Sequence, residues 1–150
     1  MLNFLDKIPF KKRFFMDKFD EWNEVKKATN AKPYENIKIS EKNIYWVKIG
    51  QNVGSEIYGK GEYYTRPVLV LKKFYIKNYI NCFLGVPLSS KVKGKSGRLF
   101  YKFTTNNNKI QVALLSQIRV FDAKRVSDYY KGKILKDDFI KIKEKIKSSF

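Results

Sequence analysis

Histidine is missing from this chain altogether, and cysteine occurs once, at Cys82. Those two absences remove much of the usual catalytic repertoire. Without histidine there is no Ser-His-Asp triad, no Cys-His pair and no imidazole acid/base couple. One thiol and no imidazole also leave no zinc site, and neither metal nor cofactor is expected. Cys82 has no disulfide partner and lies in the apolar run YINCFLGVPL. A buried structural thiol is the expectation there, because nothing is present to activate a nucleophile. Catalysis, if any, must rest on arginine, hydroxyls, carboxylates and amides.

Long apolar runs are absent too, so no membrane span of about 18 residues is available and no membrane partner is expected. The N-terminus, MLNFLDKIPFKKRFFMDKF, mixes phenylalanine with charge and lacks a continuous apolar centre and a small-residue cleavage site. No signal peptide is read, and a cytoplasmic protein is expected. Acidic residues are scarce: 14 stand against 32 lysines and arginines, for a net charge of +18. An AT-rich coding sequence would account for part of this bias. A field of this sign still draws polyanions, and nucleic acid is the default polyanion of a cytoplasm. Residues 1–31 carry seven basic and five acidic side chains, so +16 of the charge belongs to residues 32–150.

What is present is enough for a folded protein. The chain has 150 residues, 43% of them hydrophobic and 16% aromatic, which suits one domain with a real core. Phe15, Phe19, Trp22 and Val25 recur at helical spacing and predict an amphipathic helix over about 13–29, ended by Asn30 and Pro33. That helix either packs on the body or serves as a partner-binding arm. Residues 1–42 read as a helical extension and linker, and 43–150 as the body. NIYWVKIG alternates as a strand. QNVGSEIYGKGEYYT has three glycines and no apolar period, which predicts a loop of a length that is usually functional or mobile. PVLVLKKFY and YINCFLGVPLSS read as strands buried on both faces. KVKGKSG is a basic turn, RLFYKFTT a strand, NNNKI a turn and IQVALLSQIRVF one long strand. About five strands at short spacing predict a small barrel or rolled sheet. Phe139, Ile142, Ile146 and Phe150 predict a closing amphipathic helix, with Asp137 and Asp138 at its start.

Four stretches in order carry a resemblance: NVGSEI (52–57), RPVLVL (66–71), VPLSS (86–90) and LLSQIRVFDAKRV (114–126). Their order and spacing, with a helix after DAKR, resemble the MazF/PemK toxins of type II toxin–antitoxin systems, over about residues 43–150. The resemblance implies a fold that is mostly β with flanking helices, an SH3-like small barrel with a C-terminal helix, here with an added N-terminal helix. It further implies a homodimer, a cognate antitoxin protein as partner, and a metal-independent endoribonuclease that cuts single-stranded RNA at short sequences. By resemblance Arg66, opening the second strand, and Ser89, ending the third, carry the chemistry. Serine at 89 departs mildly from the threonine usual in the family.

Physical chemistry gives those residue types a reason. When a 2′-OH attacks its neighbouring phosphorus, negative charge builds on the phosphoryl oxygens. A guanidinium stays charged and offers a planar fork of donors to that charge, where lysine offers a mobile point charge. Pro67 restricts Arg66 to extended backbone. The bland alternatives are a surface arginine opening a strand and two serines forming a turn. Gln117 has an amide suited to a base edge, and Arg119 can meet phosphate or an acid. Ser90 is a second hydroxyl, Glu56 a candidate base or loop support, and Lys91 and Lys93 with Lys95 a positive rim for steering RNA. Tyr58, Tyr63 and Tyr64 suit either base stacking or packing. In one branch of the family an Arg and an Asp before the glutamine take part in catalysis; Leu114 and Ser116 stand there, so the general base is unassigned. Two other readings use the same barrel without cleavage: a poison of DNA gyrase, or a basic module that binds nucleic acid.

Overall fold

Asp17 begins the described part of the chain by capping a helix. The computed structural model describes residues 17–34 and 38–150; Phe15 and the predicted first turn lie outside them. Helix α1 spans Lys18–Ala31, with the Asp17 carboxylate accepting a hydrogen bond from the Asp20 N–H at 2.8 Å and acids in the first turn. It ends where Lys32 turns extended ahead of Pro33. Trp22, Val25 and Thr29 form its buried face, whereas Phe19, expected on that face, is 54% exposed.

Seven antiparallel strands follow rather than about five: β1 (Ile44–Lys48), β2 (Thr65–Ile76), β3 (Ile80–Ser89), β4 (Phe100–Thr104), β5 (Ile110–Leu114), β6 (Arg119–Asp122) and β7 (Val126–Tyr129). Their order is β4-β5-β3-β2-β1-β7, with β6 added beside β3. Of the two extra strands, β7 pairs with β1, and β6 arises at β3, which pairs with β2 along most of its length. Its other edge is shared: residues 82–85 pair with β6, and Leu88 and Ser89 pair with β5. IQVALLSQIRVF therefore cannot run straight. A 3₁₀ turn at Leu115–Gln117 carries the chain from one part of the β3 edge to the next. The sheet curls around its core, and its pairings among the described residues do not close a ring. The mostly-β fold, with two flanking helices among the described residues, is as the resemblance implied.

Alternation along β2 divides the interior. Leu69 and Leu71 join Val86, Leu88, Phe103 and Leu115 against the closing helix α2 (Lys136–Ser149), through Ile142, Phe139 and Ile146. Val68 and Val70 pack with Tyr45, Val47, Phe83 and Phe121 on the other side. Phe150 leaves the apolar face and is 78% exposed. The far half of β2, from Lys72 to Ile76, is not buried on both faces; the β2–β3 hairpin runs past the core and exposes Phe74, Tyr75 and Ile76. Cys82, paired with Asp122 across β3–β6, is half-buried rather than interior. No helix among the described residues is long and apolar enough to cross a membrane.

Candidate functional site

The loop between β1 and β2 is pinched at its base. The N–H groups of Ile49 and Gly50 both donate to the Tyr64 carbonyl, at 2.9 and 3.1 Å, and Gly59 N–H donates to Gly50 O at 2.8 Å. Lys60 and Thr65 exchange a reciprocal pair of bonds at 2.9 and 3.0 Å. Tyr64 takes a left-handed φ of 55°, unusual for an aromatic residue, and so turns the chain into β2. Gly59 has no alternative here, since a Cβ on it would overlap the Tyr64 carbonyl.

That neck delivers Tyr58 to Arg66. The Arg66 Nε donates to the Tyr58 carbonyl at 2.8 Å, and Nη1 donates to the Leu88 carbonyl at 3.1 Å. The Tyr58 ring lies 5.8 Å from the guanidinium carbon. Arg66 is only 8% exposed, and no carboxylate among the described residues is found paired with it. Burial lowers its pKa from the usual arginine value, with the Tyr58 hydroxyl acting the other way; arginine titrates so high that it stays a cation. Among the described residues two of its five N–H groups are used, which leaves donors for an anion.

A cavity of about 450 Å³ opens beside this cation. Arg66, Pro67, Leu88 and Ser90 line it, together with Trp46, Gln111 and Tyr130, and Lys60, Gly61 and Lys109 are also on its wall. Strand alternation separates the two serines. Ser90 lines the cavity and is exposed; Ser89 is buried at 7%, and its hydroxyl accepts a bond from Lys91 N–H at 3.2 Å. Ser89 still follows Leu88, whose carbonyl holds the guanidinium.

The other predicted residues gather on the loop's outer flank. Gln117 holds the loop rather than presenting a free amide: its Oε1 accepts from Ile57 N–H at 3.1 Å and its Nε2 donates to Ser55 O at 3.2 Å. The Glu56 carboxylate accepts from Val53 N–H at 3.0 Å and acts electrostatically on Arg119. The Arg119 guanidinium lies 4.7 Å from the Phe121 ring centre. Lys91 and Lys93 are exposed just beyond β3. The tyrosines divide: Tyr58 steadies Arg66, while Tyr63 and Tyr64 pack with α1. Sequence reasoning missed Trp46, Gln111, Tyr130, Lys60 and Lys109. The signals were a tryptophan on the outward position of an alternating strand and a glutamine inside the apolar run IQVALL. Tyr130 gave none. Among the described residues, no three of His, Cys, Asp and Glu gather where they would hold a metal ion.

Residues 41–150 match the family model described as PemK-like, MazF-like toxin of type II toxin-antitoxin system. The chain belongs to that family. Solved MazF structures share its fold. MazF (Form-I) from Deinococcus radiodurans aligns with a TM-score of 0.59 at 18% identity, covering 76% of this chain and 97% of that one. A MazE-MazF structure (Form-II) from the same organism aligns at 0.54 and 16% identity, covering 76% and 96%. Mycobacterium tuberculosis toxin MazF-mt6 aligns at 0.51 and 14% identity, covering 72% and 95%. No curated protein matches by sequence. Helix α1 precedes the part that the PemK/MazF model matches.

Proposed function

We propose that this PemK/MazF chain is the toxin of a toxin–antitoxin pair and acts as a metal-independent, sequence-specific endoribonuclease on single-stranded RNA. The observation that carries the reading is Arg66: a buried guanidinium, held by two carbonyls and facing a cavity with donors to spare. Among the described residues this buried cation has no paired anion, which is costly, and a phosphodiester entering the cavity offsets that cost. Because both carbonyls fix the fork before substrate arrives, it needs little reorganisation as phosphoryl charge develops. Family resemblance assigns the assisting hydroxyl to Ser89, and the cavity lining supports Ser90. Comparing Ser89→Ala with Ser90→Ala separates them. Gln117, with Glu56 and Arg119, supports the loop that shapes the groove, and Lys91 and Lys93 steer RNA to it.

The functional unit is a cytoplasmic homodimer held in check by an antitoxin protein, with residues 1–42 an extension on a 43–150 barrel. The MazE-MazF neighbour supports the antitoxin. The test is purified protein with mixed RNA in EDTA. Cleavage at a short recurring sequence, lost in Arg66→Ala, is expected. RNA left intact at every sequence tried, or undiminished cutting by Arg66→Ala, overturns the reading. A gel shift without product would instead favour a basic module that binds without cutting, to which the charge of +18 also lends itself.

A further inference from the structure

The Arg66 cavity is also lined by residues of different chemistry. There the Gln111 Nε2 donates to the Tyr130 hydroxyl at 2.7 Å, and the Trp46 ring lies 5.6 Å from the Tyr130 ring. Gln111 is 4% exposed, and its Oε1 has no hydrogen-bond partner among the described residues. A buried amide oxygen left in that state weakens the fold, and leucine would serve better if packing were the only demand. Trp46 is the opposite case, a large aromatic 36% exposed on the cavity wall, across β1–β2 from Pro67.

We propose that Gln111, Tyr130 and Trp46 form a nucleobase subsite whose occupant places its phosphate at Arg66. The proposal rests on the RNA-binding reading above and names what lies beyond the phosphate. Tyr130 accepts from Gln111 and keeps its own proton to donate, so the pair carries one donor beside one acceptor, the buried Oε1, which meets a base once the amide swings toward the cavity. A base edge carrying an acceptor beside an amino or imino donor complements it. Trp46 supplies a flat apolar surface for the ring, as aromatic side chains do for unpaired bases. Lys60 and Lys109, also on the cavity wall, match the charge of the flanking phosphates. The volume of about 450 Å³ falls within the usual range of small-ligand sites.

The chain's two tryptophans make the test direct. Trp22 lines a separate cavity beneath α1, so its indole N–H resonance is an internal control. The protein is titrated with each of the four nucleoside 3′,5′-bisphosphates by NMR. The Trp46 resonance moves with at least one of them, and further than the Trp22 resonance does. Gln111→Leu, which removes the unpartnered oxygen, keeps or gains thermal stability and weakens binding about tenfold, the scale of one buried hydrogen bond. Tyr130→Phe, the milder change, weakens binding in the same direction. A Trp46 resonance unmoved by all four nucleotides, or unchanged affinity in both variants, overturns the subsite. RNA cutting is assayed on the same samples. Nucleotide bound at Trp46 without any cleavage counts against the nuclease and not the subsite; cleavage with both variants binding as the parent does counts against the subsite alone.

Discussion

Arg66 is positioned by two main-chain carbonyls rather than by an acid, and that choice has a consequence. A carboxylate partner would neutralise the cation, while carbonyls orient it and leave its charge available. The resemblance of RPVLVL to the family's stretch singled out Arg66 in the sequence, and the proline after it gave that position a physical reason. Which serine faces it was not legible, because that depends on the pleat at the end of β3. Arg66→Lys should keep RNA affinity within a few-fold yet cut turnover by about 100-fold or more, since a single ammonium cannot hold both carbonyls and still present a fork. Single-turnover cleavage beside equilibrium binding checks this; retained turnover would mean that charge alone suffices. Tyrosines offer a second residue-scale prediction. Tyr64 is pushed up to about 12 by burial first, then by the charge and hydrogen bond of Glu21 and the charge of Asp17. Tyr101 is pushed up to about 12 by burial and by Asp138, to which its hydroxyl donates at 2.7 Å. The fold thus favours the neutral phenols. Their contribution is complete below the ordinary value of 10.0 and is lost as pH rises from there through about 12. Urea midpoints should fall across that window, and less steeply in Tyr101→Phe; an equal slope in the variant would count against this assignment.

Helix α1 reaches the Arg66 site through one side chain. Trp22 packs on Tyr64 with ring centres 5.8 Å apart, lies 5.9 Å from the Arg125 guanidinium, and fills the space that a Cβ on Gly50 would need. Gly50 and Tyr64 are the two sides of the loop's neck, and the same neck delivers Tyr58 to Arg66. Lys124 adds a contact over the Tyr34 ring at 4.8 Å, and Tyr34 donates to Asp122 at 3.0 Å. The periodicity of Trp22 and Val25 announced a helix but left docking and a partner-binding arm both open; its contact with the neck was hidden because Gly50 is left-handed and Tyr64 lies forty-two residues downstream of Trp22. The strand count went astray for a similar reason. A local apolar pattern shows that IQVALLSQIRVF is extended, but not that its partner strand changes midway along β3. Nor does a run such as PVLVLKKFY reveal that its tip outreaches the core. Trp22→Ala should cost up to about 3–5 kcal/mol where that docking is fully coupled to global unfolding, and less where α1 detaches first. Hydrogen exchange distinguishes the outcomes: faster exchange at Ile49, Gly50 and Gly59 as well as in α1 is expected. Acceleration confined to α1 would show that the helix does not brace the neck.

At the scale of the molecule, the proposed endoribonuclease gives charge and cavity separate jobs. The body carries +16 of the total +18, and the described ion pairs Lys27–Glu24 and Lys72–Glu41 are exposed, so they contribute little to stability. The surplus cations are therefore open to screening, whereas Arg66 is shielded by burial. Salt should act on RNA capture far more than on the cleavage step. For single strands the logarithm of the binding constant falls by about 0.7 per phosphate contact for each unit in the logarithm of salt. Removing Lys91 and Lys93 together should lower that slope by roughly 1.4 if each meets a phosphate, two contacts at that coefficient. Turnover at saturating RNA should stay near that of the parent, because neither lysine lines the cavity. Arg66→Ala should do the reverse, removing at most one contact from the slope and most of the turnover. Binding isotherms at several potassium chloride concentrations, with turnover measured at saturation for each variant, test both halves. If the lysine variant lost turnover at saturating RNA while keeping the parent's salt slope, the rim would belong to the chemistry and not to capture.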